Sequence, residues 1–440
     1  MTFPAPEIIT PKSGELFDQQ VKLAWTKTHP FLFYYSPGFS NILVERGTEG
    51  TYISKSGRIE VADPNTPRIT WWDRDGDGVR ETPTLLLEPA GTNAFTWSED
   101  LSQSIWTKIR SSVTANAATA PDGTATADKL VEDTSATQTH YVARNLAGAT
   151  DNATQAVSVF ARAGERTQLQ VGIIGKDDVD RSALFDLTTG TVLSVSGATG
   201  QVLARLPDGW YRIGVAATCG AGASTPSVRL RLAVGGNTVY TGDGASGLYL
   251  WGLQFEADRW VASSYIRTDS STATRAADVL TFPWPHAPQA MTGYLRFVER
   301  GAVAMTGASR VLFQIGTGTT APRLFVGAIS TGTTYRVSFS TPTSSVSTML
   351  PIAPSIGSRV ELLWRLYADG SVQIEQSIDG GTPVVAARSS AIGLPSAWSG
   401  QVMRLSGIPS SSVEAPAAWR DAIVLRGADW TMDQIRRLVA

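Results

Sequence analysis

From about residue 95 to the carboxyl end, apolar residues recur at every second position, in runs that stop at glycine- and asparagine-rich turns. A period of two is the side-chain repeat of a β-strand with one buried face, and a helix with 3.6 residues per turn cannot carry it. Val157, Val159 and Ala161 share a face opposite Ser158, Phe160 and Arg162. Leu169, Val171 and Ile173 lie opposite Gln168 and Gln170, and Val228, Leu230, Leu232 and Val234 lie opposite Arg229 and Arg231. Gly197-Ala198-Thr199-Gly200, Asp208-Gly209, Gly235-Gly236-Asn237 and Gly242-Asp243-Gly244 punctuate the runs. The 41 glycines and 23 prolines of the 440 residues suit a chain of many short strands.

The alternation restarts beyond a Ser-, Thr- and Ala-rich stretch at 269–278, through Leu295 and Phe297, Val311 to Ile315, Tyr335 to Phe339, and Val360 to Leu366. Ala368-Asp369-Gly370 reads as a hairpin turn into Val372 and Ile374. One helix is predicted, at the carboxyl end, where Thr431 and Gln434 form a capping box and Ile435 and Leu438 an apolar pair. The fold class is all-β: two β-sandwiches in tandem with a β-rich amino-terminal region. The expected segments are an amino-terminal docking segment at 1–36, a β-rich connecting region at 37–94, and sandwiches at 95–268 and 279–440.

Composition removes several functions. The net charge is −2 with Lys and Arg scattered singly, so no basic stripe is present to neutralise phosphates, and nucleic-acid binding is disfavoured. No run approaches the ~18 apolar residues that would span a bilayer. The opening Met1-Thr2-Phe3-Pro4-Ala5-Pro6 lacks a basic region and apolar core, so no secretion signal is expected. Cys219 is the single cysteine, and its alternating run with Tyr211, Ile213, Val215 and Ala217 makes it a small buried apolar residue.

Candidate chemistry is sparse. Asp73-Arg74-Asp75-Gly76-Asp77-Gly78 sets carboxylates at positions 1, 3 and 5 before a glycine, with Glu81 at position 9, as in a calcium-wrapping loop. Asp73, Asp75, Asp77 and Glu81 are thus candidate calcium ligands. Position 12 is Thr84 in place of a bidentate glutamate, which favours the competing reading of a solvated acidic turn. Aromatic faces stack on sugars, and Trp106, Tyr141 and Trp210, with Arg212 beside the last, are the candidate carbohydrate-binding residues. Trp210 falls on the face opposite Tyr211, Ile213 and Val215, away from the main core. Trp251 alternates with Tyr249, Leu253 and Phe255 as a core stripe. A glycosidase needs two carboxylates roughly 5–10 Å apart, and no Glu-x-Asp-x-x-Glu string supplies them on one strand. Glu256 and Asp258 read as an ion-pair or loop element. His29, His140 and His286 lack metal-ligand spacing. No catalytic residue is assigned, and an enzyme is not expected.

A series of strings resembles a modular architecture of tailed-bacteriophage tail and virion structural proteins. Arg46, Gly50-Thr51-Tyr52, Gly57 and Pro67-Arg68 open it, followed by Leu85-Leu86-Leu87-Glu88, Thr92-Asn93, Trp97-Ser98-Glu99-Asp100 and Trp106-Thr107. Pro121-Asp122-Gly123-Thr124, Ala127-Asp128-Lys129-Leu130, Asp208-Gly209-Trp210-Tyr211-Arg212 and Tyr249-Leu250-Trp251-Gly252-Leu253-Gln254-Phe255-Glu256 continue it, and Ser264-Tyr265-Ile266 and Thr274-Arg275-Ala276-Ala277-Asp278 close it. Arg267 stands where the module often has proline. The carboxyl-terminal part is similar to a concanavalin-like or laminin-G-like jelly roll. The resemblance implies that both sandwiches are jelly rolls, the middle one like a carbohydrate-binding module, carried on a virion and made in the host cytoplasm. Its implied partners are other virion proteins, a host surface glycan and further copies of the chain, a trimer being usual for fibres. The alternatives are a capsid decoration or head-fibre protein and a polysaccharide depolymerase.

Overall fold

The computed structural model describes residues 31–35, 44–72, 82–146, 149, 151–257, 259–284, 287–299, 310–316, 321–328, 334–355, 358–399, 402–405 and 417–438. Among the described residues the chain is all-β, as the alternation requires, with one short α-helix and a single 3-10 turn at Pro207–Gly209. The acidic loop with Asp73, Asp75, Asp77 and Glu81, the residues His29 and His286, and nearly all of the 1–36 segment lie outside the described residues.

The middle sandwich is two six-stranded antiparallel sheets. The first runs Thr199–Arg205, Trp210–Cys219, Ala153–Arg162, Gly247–Ala257, Ala127–Glu132 and Ser111–Ala118 in spatial order. The second runs Thr191–Ser196, Asp180–Asp186, Gln168–Ile174, Ser227–Ala233, Tyr141–Asn145 and Thr107–Ile109. The alternating residues meet between the sheets: Val157, Val159, Ile213 and Val215 from one, Leu169, Val171, Leu230 and Leu232 from the other. Cys219 closes this core at 1% exposure, as its run requires.

The carboxyl-terminal sandwich does not begin at 279. Its eight-stranded sheet runs Val384–Val385, Val372–Ile378, Arg359–Leu366, Met291–Glu299, Ala417–Arg426, Thr82–Leu87 and Ile69–Trp72, with Phe31–Tyr35 also paired to Ala417–Arg426. The facing seven-stranded sheet runs Val44–Glu45, Val279–Pro283, Val402–Leu405, Arg310–Ile315, Arg323–Ala328, Arg336–Ser340 and Ser345–Met349. Val44, Leu85 and Leu87 sit in the same core as Leu295, Val337 and Trp364. The expected boundaries are corrected accordingly: strands from 31–35 and from the 37–94 region are built into the second sandwich, and the middle sandwich is an insertion in it. The strand carrying Leu85-Leu86-Leu87 has one partner close in sequence (Ile69↔Leu85) and one more than 300 residues away (Ala417↔Leu87). The Met432–Leu438 helix is capped as predicted: the Gln434 N–H donates to Thr431 Oγ1 at 3.3 Å and the Thr431 N–H to Gln434 Oε1 at 2.8 Å. Met432 and Ile435 pack it on Tyr294, Leu363 and Leu425, across the sheet from the main core.

A further layer covers the first sheet of the middle sandwich. The hairpin Gly50–Ile53 with Ile59–Ala62 lays Ile53 and Ile59 against Phe160, Ala204, Trp210, Trp251 and Tyr265. Within Gly247–Ala257 the side-chain parity reverses. Leu248 and Leu250 face the inner core, as do Leu253 and Phe255 beyond Gly252, whereas Trp251 belongs to the covered outer layer and Tyr249 packs against it. The single stripe expected of Tyr249, Trp251, Leu253 and Phe255 is therefore corrected. A β-bulge at Gly252, whose φ is +62°, inserts one residue and flips the faces.

Candidate functional site

Two of the three candidate sugar platforms are enclosed. Trp106 is 1% exposed, edge-on to Phe95 at 5.1 Å, with the Arg144 guanidinium 4.9 Å from its ring and its indole N–H donating to Trp97 O at 3.1 Å. Burial pushes Arg144 down to about 10. Trp210 does point away from the inner core, as its parity predicts, but that face is roofed by the Gly50–Ala62 hairpin and Trp210 is 2% exposed. Its indole N–H donates to Thr119 O at 3.2 Å and Arg162 lies 5.2 Å from its ring. Arg212 shares the covered layer, giving a hydrogen bond to Ser158 Oγ at 3.0 Å, and burial pushes it down to about 10. It borders a cavity of about 20 Å³ with Thr51, Ser264 and Tyr265, room for a single water. Neither tryptophan offers a free face to a pyranose.

Tyr141 is different. It lies at the outer surface of the second sheet of the middle sandwich, half-buried, paired across the ladder with Ile109 and Arg231. Arg229 lies 5.5 Å from its ring. On the same face Arg231 donates from Nη1 to Gln170 Oε1 at 2.8 Å and from Nη2 to Asp180 Oδ2 at 2.5 Å. Gly172 leaves space for that bridge, since a Cβ there would meet Arg231 Nη1 at 2.7 Å and Asp180 Oδ1 at 2.8 Å. The result is a phenol ring beside a row of hydrogen-bonded guanidinium, carboxamide and carboxylate groups on one sheet face. Such a surface can stack on an apolar sugar face and exchange planar hydrogen bonds with hydroxyls. Arg229 and Arg231 enter the sequence reading only as the wet side of a strand; their pairing with Tyr141 follows from register, which a single strand does not reveal.

A buried charge cluster lies elsewhere, at the junction of the sandwiches. Arg46, Arg68 and Arg275 meet Glu88 and Asp278, none more than 2% exposed. Arg46 Nη1 donates to Asp278 Oδ1 at 2.9 Å, Arg68 Nη1 to Glu88 Oε2 at 2.9 Å, and Arg68 Nη2 also pairs with Asp278. Arg275 stands 3.5 Å from Glu88 and 3.6 Å from Asp278. The remaining charge is spread over carbonyls: Arg46 reaches Ala62, Asp63 and Thr66, and Arg275 reaches Pro89. Burial works against the Arg68 cation, but Asp278 and Glu88 outweigh it and hold its pKa above the ordinary value. Gly50 packs over the cluster, where a Cβ would lie 3.0 Å from Arg68 Cδ. Several of the strings that carry the bacteriophage resemblance (Arg46, Gly50, Arg68, Glu88, Arg275, Asp278) are the parts of this sealed joint. They hold the molecule together and present nothing outward. Among the described residues no group of three or more His, Cys, Asp and Glu is placed to hold a metal.

No family model matches the chain. No curated protein matches it either. Solved structures similar in part include the mouse laminin alpha1 chain, domains LG4-5, at 12% identity and TM-score 0.21, over 66% of this chain and 85% of that one. The LG1-3 region of the laminin alpha2 chain matches at 13% identity and TM-score 0.25, over 64% of this chain and 63% of that one. Scores this low do not establish a shared arrangement, and the fold described above rests on the strand pairing itself.

Proposed function

We propose that this chain is a non-catalytic structural and adhesion protein of a tailed-bacteriophage virion, binding a host surface glycan through the Tyr141 face of its middle sandwich. The observation that carries the adhesive part is the juxtaposition of a half-buried tyrosine, Arg229 against its ring, and the Arg231–Gln170–Asp180 row on one sheet surface. The virion assignment is supported by the ordered strings from Arg46 to Asp278. Assembly with other virion proteins or further copies is supported by the edge strand Thr191–Ser196, exposed at all six positions, with Val192, Leu193 and Val195 open beside unpaired ladder groups.

Adsorption of the purified chain to host cells and to immobilised surface polysaccharide tests the reading. Tyr141→Ala and Arg229→Ala each remove a surface group, so the fold should persist while retention falls about tenfold, the loss of roughly 1.4 kcal/mol of contact. Unchanged retention in both variants would remove this face from the account. Release of oligosaccharide from the polysaccharide would instead favour a depolymerase. Trp210→Ala is unsuitable as a binding test, because its ring is interior and its loss is a folding defect.

A further inference from the structure

In the carboxyl-terminal sandwich, the strand Val372–Ile378 sends Val372 and Ile374 into the core, and Gln376 follows on the same face two residues on. Gln376 is 3% exposed, and neither its Nε2 nor its Oε1 has a hydrogen-bond partner. A buried carboxamide with both ends unpaired is destabilising, and leucine, nearly the same size, would fill the place without that cost. The position therefore calls for an explanation, and the adjoining space offers one.

Gln376 lines a cavity of about 120 Å³ at the mouth between the two sheets. Ile378, Thr382 and Val384 form one wall; Leu350, Pro351 and Ile352, which follow the strand Ser345–Met349 of the facing sheet, form the other. A single water needs about 10–15 Å³ of such space, so the cavity exceeds what one bridging water needs. No charged side chain borders it, which disfavours carboxylates, phosphates and ammonium groups, whose desolvation nothing there would offset. The carboxamide presents a donor and an acceptor side by side. Its complement is a neutral group with two adjacent atoms that can each donate and accept, attached to C–H surface for the aliphatic walls. Two neighbouring hydroxyls of a pyranose ring meet every one of those terms.

We propose that this cavity is a second glycan subsite, in which a neutral pyranose enters edge-on and sets a vicinal diol against Gln376, one hydroxyl donating to Oε1 and the next accepting from Nε2. The exposed Thr382 at the rim supplies a further hydroxyl contact. This inference rests on the glycan-binding reading above but on different residues in the other sandwich, so the two can fail separately.

The test uses the full chain and the methyl α-glycosides of glucose, galactose and mannose as probes, followed by saturation-transfer NMR with thermal melting alongside. At least one glycoside should bind, with transfer strongest at the protons of two adjacent hydroxyl-bearing carbons. Gln376→Leu should weaken that signal at least tenfold while the melting temperature stays the same or rises, because the unpaired amide is gone. Thr382→Trp, placed at the exposed rim, should block the same signal and keeps the test decisive if the core variant fails to fold. Glycoside signals unchanged in both variants would mean that the cavity holds only water, and would overturn the proposal. If Tyr141→Ala abolishes all binding and the two variants abolish none, the subsite falls and the adhesion reading stands. If the unaltered chain binds neither the glycosides nor the polysaccharide, both fall.

Discussion

At Glu132 donors from three residues converge on one carboxylate. Arg166 Nε donates to Oε2 at 2.7 Å, the Tyr240 hydroxyl to the same oxygen at 2.7 Å, and the Asp243 N–H to Oε1 at 2.9 Å. Burial alone would raise the pKa of this acid, but the hydrogen bonds from Arg166, Tyr240 and Asp243 outweigh it and hold the value below the ordinary 4.5. A carboxylate whose folded pKa lies below its unfolded one stabilises the fold above about pH 4.5, and that contribution is lost as the pH falls through the depressed value. Glu132→Gln should therefore cost roughly 1–3 kcal/mol near neutrality in urea unfolding. The gap from the unaltered chain should shrink as the pH is taken from about 6 to about 3, since protonated Glu132 then resembles glutamine. A gap that stays constant over that range would show that the carboxylate charge plays no part. None of this was legible beforehand: Glu132 is one acid among many in the sequence, and its three donors come from separate strands and turns. What sequence does show at single residues is the facing of side chains. Cys219 and Trp210 both point where their parity puts them, and only the roof over Trp210 was invisible.

Strands are the level at which the sequence is most readable, because burial on one face imposes the period of two directly on the residues. The strand Gly247–Ala257 marks where that legibility ends. Tyr249, Leu250, Trp251, Leu253 and Phe255 are all large and apolar, so the string is compatible with either parity, and the bulge that decides between them costs only one residue. Gly252 makes the bulge by adopting a φ of +62°. A Cβ at this position would also stand 2.8 Å from Phe160 Cδ2 and 3.3 Å from Tyr265 Cε2, two rings fixed in the covered layer. Gly252→Ala should consequently lower stability by roughly 2–4 kcal/mol, combining the left-handed strain with overpacking. Chemical denaturation measures this. A loss below about 0.5 kcal/mol, the range of ordinary surface changes, would mean that the strand has another route to the same reversal of faces.

The whole molecule depends on pairings that no local pattern contains. Asn93 and Ala273 are ladder partners, so the middle sandwich leaves and re-enters the chain at one point, as an inserted unit does. Before that point lie the strands Val44–Glu45, Ile69–Trp72 and Thr82–Leu87, which belong to the sheets of the carboxyl-terminal sandwich. Composition change and a Ser/Thr/Ala-rich stretch suggest a boundary near 279, and the second sandwich does resume there, but it resumes an edifice already begun. A fragment of 279–440 would lack Val44, Leu85 and Leu87 from its core, each worth roughly 1.5–3 kcal/mol of burial. It would also leave the ladder of Ala417–Arg426 open where Thr82–Leu87 pairs with it. Against a net stability of about 5–15 kcal/mol for an ordinary domain, those losses are decisive. The fragment should show no cooperative thermal transition and should bind a hydrophobic dye. A chain in which a short Gly/Ser linker joins 94 to 272, retaining the early strands, should recover a cooperative transition, at reduced solubility because Ile53 and Ile59 lose the sheet they cover. A cooperative melt of 279–440 alone, at the temperature of the intact protein, would show that the early strands are accessories, and the interrupted-sandwich architecture would have to be given up.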